Sequence, residues 1–291
     1  MACERVALAL GADMRKIPGH IWAGLLGCGA IIIALGWHFT IEPIVPSGQL
    51  AKGRFDRGRA LFKAGEYDRA IAEFNQAIRL DPTHAKAHHY RGWAYERKGD
   101  SDRAIDDYTE AIRLNPQYSD AYNSRGVAYY ERRDYDRAIA DYGEAIRLDP
   151  GYVDAYHNRG RAYCGKEKYT EAIANFSQAI RLNPRDAGAY SGRGLAYSKK
   201  GNVEKALADL SEVIQLKPDS AKAYESRALQ YARQGEVDKA INDLSEAILL
   251  DPKFARAYYT RSLIYAAKGD RVRAQADRDK AIALDPALAK R

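Results

Sequence analysis

Ser119–Tyr152 reads SDAYNSRGVAYYERRDYDRAIADYGEAIRLDPGY, and the chain is built by repeating it. Sliding this stretch by thirty-four residues in either direction lays it on a copy of itself. Prolines mark the phase: Pro82, Pro116, Pro150, Pro184, Pro218, Pro252 and Pro286 stand at that interval. Seven units follow without insertion or deletion, at 51–84, 85–118, 119–152, 153–186, 187–220, 221–254 and 255–288, leaving a tail at 289–291. A fixed period of this length defines a repeat architecture, which grows by stacking units and has no single central core.

Within the quoted unit, Tyr122, Gly126, Tyr129 and Tyr130 share one helical face. Ala138, Ile139, Tyr142, Ala145, Ile146 and Leu148 share another. Both show the i, i+3, i+4 spacing of an amphipathic helix. Arg133–Asp134 is the turn between them, and Asp149-Pro150-Gly151 ends the second, because proline cannot continue a helix and disfavours α geometry in the residue before it. One such hairpin cannot cover its own apolar stripe, whereas a stack of them can.

Small residues set how closely the helices approach. Position 20 of the unit is alanine in all seven copies, from Ala70 to Ala274. Position 8 is Gly58, Gly92, Gly126, Gly160, Gly194, Ala228 and Ser262. Large residues fill the remaining space: tyrosine at position 11 in six units, and Phe74, Tyr108, Tyr142, Phe176, Leu210, Leu244 and Arg278 at position 24. The pattern resembles the tetratricopeptide repeat: aromatic at 4, Gly at 8, Tyr at 11, Ala at 20, aromatic at 24, Ala at 27 and Pro at 32. The resemblance covers about four-fifths of the chain. It implies an all-α, right-handed superhelix of helix pairs whose first helices line a concave groove.

The chain departs from the family at position 7, which is usually leucine. Here it is Arg57, Arg91, Arg125, Arg159, Arg193, Arg227 and Arg261. Position 23 is Glu73, Asp107, Asp141, Asn175, Asp209, Asp243 and Asp277. A charge at a packing position needs a partner. A ladder of arginine–carboxylate pairs is therefore expected, weakened at Asn175. The seventh unit carries Gln275 and Arg278 in place of apolar residues, so the helix ending at Leu284 is expected to be the cap.

The first fifty residues differ. After a flank at 1–16, the segment 17–39 holds Ile21–Trp37, seventeen residues without a charge. As a helix, 17–39 would span about 34 Å, enough to cross a bilayer. Arg15 and Lys16 precede it and Glu42 follows. This places the repeats on the extracytoplasmic (periplasmic) side of a single-pass membrane protein, although Lys52, Arg54, Arg57 and Arg59 argue the other way. A signal cleaved after Ala34-Leu35-Gly36, or a lipid-attachment box at Leu25–Cys28, are the alternatives. Met14 offers a second start. Gly19, Ala23 and Gly27 form a stripe that would let two anchors associate weakly. Residues 40–50, with two prolines, read as a linker.

The formal charge is +7, from 46 basic and 39 acidic residues interspersed along the units, with no basic run longer than two. That describes a solvated, ion-paired exterior rather than a nucleic-acid footprint. Cys3, Cys28 and Cys164 make neither a disulfide framework nor a zinc pattern. His84 and His88 have no evident third ligand, and the sequon at Asn175–Ser177 falls inside a helix. No phosphate-binding loop, dinucleotide fingerprint, nucleophile elbow or zinc-protease motif occurs, so neither an enzyme nor a cofactor is expected.

The family resemblance assigns the groove to positions 2, 5, 9, 12 and 13. In the first four units these include Lys52, Phe55, Arg59, Lys63, Lys86, His89, Trp93, Arg97, Asn123, Tyr130, His157 and Arg161. Aromatic and arginine residues that packing does not require are typical binding anchors. The expected binding residues are Arg59, Lys63, His89, Trp93, Arg97, Asn123, Tyr130, His157 and Arg161, holding a peptide or partner helix of acidic and apolar character. Units five to seven look blander, with Gly188, Ser191, Leu195, Ser198, Leu229, Ala232, Leu263 and Ala266. Position 5 is never lysine and only Asn158 matches at position 6, so the chain does not resemble the chaperone-binding carboxylate clamps of this family. The reading is a non-catalytic scaffold; an exported soluble adaptor and a structural spacer are the alternatives.

Overall fold

The computed structural model describes residues 30–35, 38–43 and 46–290. Ahead of the repeats, β1 (Ala30–Leu35) and β2 (His38–Pro43) pair antiparallel, with Ala30 opposite Pro43 and Leu35 opposite His38. This corrects the expectation of a continuous helix over 17–39 wherever that segment is described. Ile31, Ile32 and Ile33 are β-branched in succession, which disfavours helix and favours strand. The rest of the expected anchor, 17–29 and the flank 1–16, lies outside the described residues. Among the described residues, no helix is long and apolar enough to cross a membrane. The expected linker at 40–50 is likewise replaced, by β2 and by a helix that starts at Ser47 behind Pro46.

From Ser47 onward the described residues are all-α. Fourteen helices follow in pairs: α1 (Ser47–Lys63) with α2 (Tyr67–Leu80), α3 (Ala85–Arg97) with α4 (Ser101–Leu114), α5 (Ser119–Glu131) with α6 (Tyr135–Leu148), α7 (Val153–Gly165) with α8 (Tyr169–Leu182), α9 (Ala187–Lys199) with α10 (Val203–Leu216), α11 (Ala221–Arg233) with α12 (Val237–Leu250), and α13 (Ala255–Ala267) with α14 (Arg271–Leu284). Each helix packs on the one before it and the one after it, so the pairs stack into an α-solenoid. A 3₁₀ turn, Pro286–Lys290, then folds the buried Leu288 against the end.

The local signals are the ones the repeat spells out. Asp100, Asp134, Asn202 and Asp270 accept the N–H three residues on, capping second helices. Asp81, Asn115, Asp149, Asn183 and Asp251, each just before a proline, are extended. The turn within each pair needs a left-handed residue, supplied by Gly65, Gly99, Gly201, Gly235 and Gly269. In the third and fourth pairs Arg133 (φ 61°) and Glu167 (φ 59°) take that conformation without glycine's freedom.

Each pair is locked by a small residue on its first helix under a large one on its second. A methyl placed on Gly126 would lie 2.7 Å from the Tyr142 ring, and one on Gly160 2.9 Å from Phe176. Where position 24 is leucine the clash with it eases: a methyl on Gly194 would sit 3.5 Å from Leu210 and 3.3 Å from the Asp209 Cβ, and the next unit already places Ala228 opposite Leu244. Positions 8 and 24 are therefore read together by the packing.

The arginine ladder forms. Arg91, Arg125, Arg193, Arg227 and Arg261 each donate twice to the aspartate of their own pair, at 2.6–2.9 Å. The third limb reaches back to the preceding pair. Nη1 of these arginines donates to Asn75, Thr109, Ser177, Ser211 and Ser245, in that order, at 2.7–3.2 Å. Arg159 is the exception on both counts: it makes one bond to Asn175, at 2.7 Å, and faces Gly143, which has no side chain to accept. Arg57 meets Glu73 at 3.4 Å and shares it with Arg54. On the exterior, Lys98, Arg132, Lys166 and Lys268 each pair with an aspartate of the preceding unit, the ion-paired surface expected of the mixed charge. Such exposed pairs contribute little individually.

Three outcomes follow, all checked by thermal and denaturant unfolding. Gly126→Ala is expected to destabilise by about 1–3 kcal/mol through overpacking against Tyr142, whereas Gly194→Ala is expected to be neutral or stabilising. Asn175→Asp with Gly143→Ser restores all three limbs around Arg159 and is expected to add about 1–2 kcal/mol.

Candidate functional site

A cleft of about 410 Å³ opens where three successive pairs meet. Helix α3 contributes His89, Tyr90, Trp93 and Glu96; α5 contributes Asp120, Asn123, Ser124 and Val127; α7 contributes Asp154. Tyr118 and Tyr152 close it from the loops before α5 and α7. Seven of these eleven residues sit at positions 2, 5, 9 or 12 of their units, so one face of the first helices does build a common surface.

The nine residues singled out by sequence fall into two groups. His89, Trp93 and Asn123 come together in the cleft. Arg59, Lys63, Arg97, Tyr130, His157 and Arg161 do not line it. Lys63 is exposed at the end of α1. Arg59 lies 5.7 Å from the centre of the Phe55 ring and 5.4 Å from that of Tyr90. The Arg97 guanidinium donates to the Tyr67 hydroxyl at 3.2 Å. Arg161 stacks on Tyr130 at 4.6 Å, and His157 Nδ1 is 3.4 Å from Asp186. Phe55, also placed on the groove by its position, is instead buried between Phe74, His84 and Tyr90.

His89 is the buried pivot of the cleft. Nδ1 lies 2.9 Å from the Tyr118 hydroxyl and Nε2 3.0 Å from Ser124 Oγ. A neutral ring satisfies both contacts, with one nitrogen donating and the other accepting. Burial, opposed only partly by Asp120, lowers its pKa to about 4. Trp93 is 39% exposed and leans on Phe62, with ring centres 4.7 Å apart. Tyr108, one of the largest fully buried side chains, donates to Glu96 Oε2 at 2.6 Å, and Tyr152 donates to Asp120 at 3.0 Å. Burial raises the Glu96 pKa more than the Tyr108 bond lowers it.

The carboxylates Glu96, Asp120 and Asp154 are the residues sequence reasoning passed over. The signal was present: position 2 reads Lys52, Lys86, Asp120, Asp154, Gly188, Lys222 and Arg256, changing sign in the third and fourth units. A second omission lies further along the same face. Glu225, fully buried, is held by both guanidinium arms of Arg256. The blander half also carries a ridge, since Leu195, Leu229 and Leu263, all at position 9, are 53%, 39% and 49% exposed. The two histidines considered as a metal pair have other partners: His84 Nδ1 accepts the Ala87 N–H, and His88 lies 3.4 Å from Asp107. Asn175 of the sequon is buried and bonded to Arg159.

A solenoid of helical hairpins with small–large locking within each pair defines the class. Models of the tetratricopeptide repeat match residues 55–118, 91–153, 142–174, 160–201, 187–220, 228–269 and 255–288, together covering 55–220 and 228–288. The chain belongs to the tetratricopeptide repeat family. Among solved structures it is similar to YrrB, described as a TPR protein with an unusual peptide-binding site, at 28% identity. That match covers 64% of this chain and 97% of YrrB, with a TM-score of 0.54. The MamA protein matches at 26% identity over 60% of this chain and 96% of its own, also with a TM-score of 0.54. A tetratricopeptide repeat protein from Parabacteroides merdae shares the fold at 21% identity, over 84% of this chain and 97% of its own, with a TM-score of 0.64. Comparison with curated proteins gave no match.

The state of His89 can be read directly. Its ring proton resonances are expected to hold their neutral position from pH 7.5 down to about 5 and to move only as the pH nears about 4. The unfolded ring binds a proton at about 6.5, so stability is expected to fall as the pH drops below that value.

Proposed function

We propose that this chain is a non-catalytic interaction scaffold that holds a peptide or partner helix on the groove face of its repeats. The observation that carries this reading is the convergence of groove positions from three successive units on one preformed cleft. A rigid stack offers that surface with little ordering cost on binding. The exposed leucines at position 9 extend the same face toward the C-terminal units. The YrrB likeness is consistent with it, because that protein's own description is of a peptide-binding TPR protein. His89, Trp93 and Asn123 contribute from inside the cleft; Arg59, Lys63, Arg97, Tyr130, His157 and Arg161 contribute from the surface around it.

The seventeen uncharged residues Ile21–Trp37 support attachment to a membrane, with Arg15 and Lys16 favouring the repeats on the extracytoplasmic side. An exported soluble form is the second reading, favoured by the small residues Ala34 and Gly36 just before Trp37.

Crosslinking in cells, followed by detergent extraction of the pelleted membranes and capture of the full chain, tests both parts. The chain is expected in the pellet with a partner attached. Replacing Arg59, Trp93 and Arg161 together by alanine is expected to abolish capture while leaving helical content unchanged. Undiminished capture by the triple variant overturns the groove assignment, and recovery of the chain without detergent overturns the attachment.

A further inference from the structure

The cleft has a charge and a wall chemistry that point to one kind of occupant. Four aromatic side chains line it: Tyr90, Trp93, Tyr118 and Tyr152. The carboxylates of Glu96, Asp120 and Asp154 line it too, and among the described residues no lysine or arginine does. Arg59 and Arg97 stand beside the cleft on the rings of Phe55, Tyr90 and Tyr67, where Arg59 acts on Tyr118 and Arg97 on Glu96, whereas Asp120 and Asp154 form no ion pair among the described residues. His89 adds no compensating charge near neutral pH, because its buried ring is held neutral. Aromatic faces carry negative quadrupole density, and carboxylates at the same site add to the attraction for a cation. The cleft volume lies at the low end of the roughly 300–1,000 Å³ typical of small-ligand sites, room for one long side chain with some water.

We infer that this cleft receives a lysine or arginine side chain of the bound peptide, its apolar stem along Trp93 and Tyr90 and its cationic head toward Asp120, Asp154 and Glu96. The inference rests on the scaffold reading above and deepens it. It also reverses the charge of partner that the sequence suggests. That expectation counted arginines by position, and the structure places those arginines outside the cleft and stacks them on rings. The mixed pattern at position 2 provides specificity along the groove: acidic in units three and four, basic in units one, two, six and seven. A partner with its basic residue out of register meets like charge.

The test uses the full chain in detergent micelles with tryptophan indoles labelled for NMR, the Trp93 signal being assigned by its loss in Trp93→Phe. Four probes are titrated at constant ionic strength: the N-acetyl amides of lysine, arginine, norleucine and glutamate. The lysine and arginine amides are expected to shift the Trp93 indole saturably, and the norleucine and glutamate amides to bind at least tenfold more weakly. Asp120→Asn with Asp154→Asn keeps the acceptor for Tyr152 and is expected to weaken the basic amides at least tenfold, with the unfolding midpoint unchanged. Equal binding of norleucine, equal binding of glutamate, no shift by either basic amide, or an unaltered affinity in the double variant overturns the inference. If the basic amides fail while the Arg59, Trp93 and Arg161 triple variant still loses its captured partner, the groove reading stands and only the charge inference falls.

Discussion

The guanidinium at position 7 is the interaction on which the stack depends. In five pairs it is clamped in its own pair by two bonds to an aspartate and tied to the preceding pair by a third. Tyrosines at positions 4 and 11 flank it: the Arg227 and Arg261 carbons lie 5.7–5.8 Å from two ring centres each. Burying an ion pair is costly unless every polar group finds a partner. Here the rigid fork of arginine finds carboxylate, hydroxyl or amide, and ring face at once, which the single ammonium of lysine could not do. The bonds to aspartate keep Arg125, Arg193, Arg227 and Arg261 firmly protonated against the opposing effect of burial. A leucine at this position would serve the interior of one hairpin. The arginine serves the joint between two, and the regular spacing of pairs follows from it.

That regularity lets side chains at equal positions act together. His89 and Asn123 occupy the same position in successive units, as do Asp120 and Asp154, and as do Leu195, Leu229 and Leu263. Because the first helices of units one to five each lie beside the next, equal positions form rows along that part of the face. The face therefore changes character by unit, from rings and carboxylates in units two to four to leucines in units five to seven.

The hairpins, their turns and the ladder were legible because each is written in local spacing and repeated seven times. Gly126 and Tyr142 announce their contact by size, and Arg125 and Asp141 by charge. The cleft was legible only in part. Position identifies the face a residue occupies, so His89, Trp93 and Asn123 were found. Position does not say where a long, flexible side chain goes once it meets a neighbouring ring, which is why Arg59 and Arg161, placed on the groove, are stacked on Tyr90 and Tyr130. Phe55 was misplaced because position 5 packs toward the following unit: its ring meets Phe74, His84 and Tyr90, just as the buried His89 meets Ser124. The apolar N-terminal segment shows the limit of hydropathy alone. Apolar character says that a stretch avoids water, while the β-branched Ile31–Ile33 decide between strand and helix.

The places where the repeat breaks its own rules are concentrated beside the cleft. Arg133 and Glu167 hold left-handed backbone that glycine holds in five other pairs. Gly143 removes the acceptor for the third limb of Arg159, and Asn175 replaces the carboxylate that would take the other two. All four lie in the third and fourth units. Non-glycine residues in that backbone region are strained, and the joint between these two units, lacking the arginine limb, is held by other contacts: Asn158 donates to Asn123, Lys166 pairs with Asp136 and Arg161 stacks on Tyr130. Asp120 and Asp154, the two carboxylates at position 2, stand on either side of this joint. The acidic end of the cleft thus straddles a joint made without the arginine limb, while Trp93 and His89 sit on a unit whose arginine keeps all three limbs.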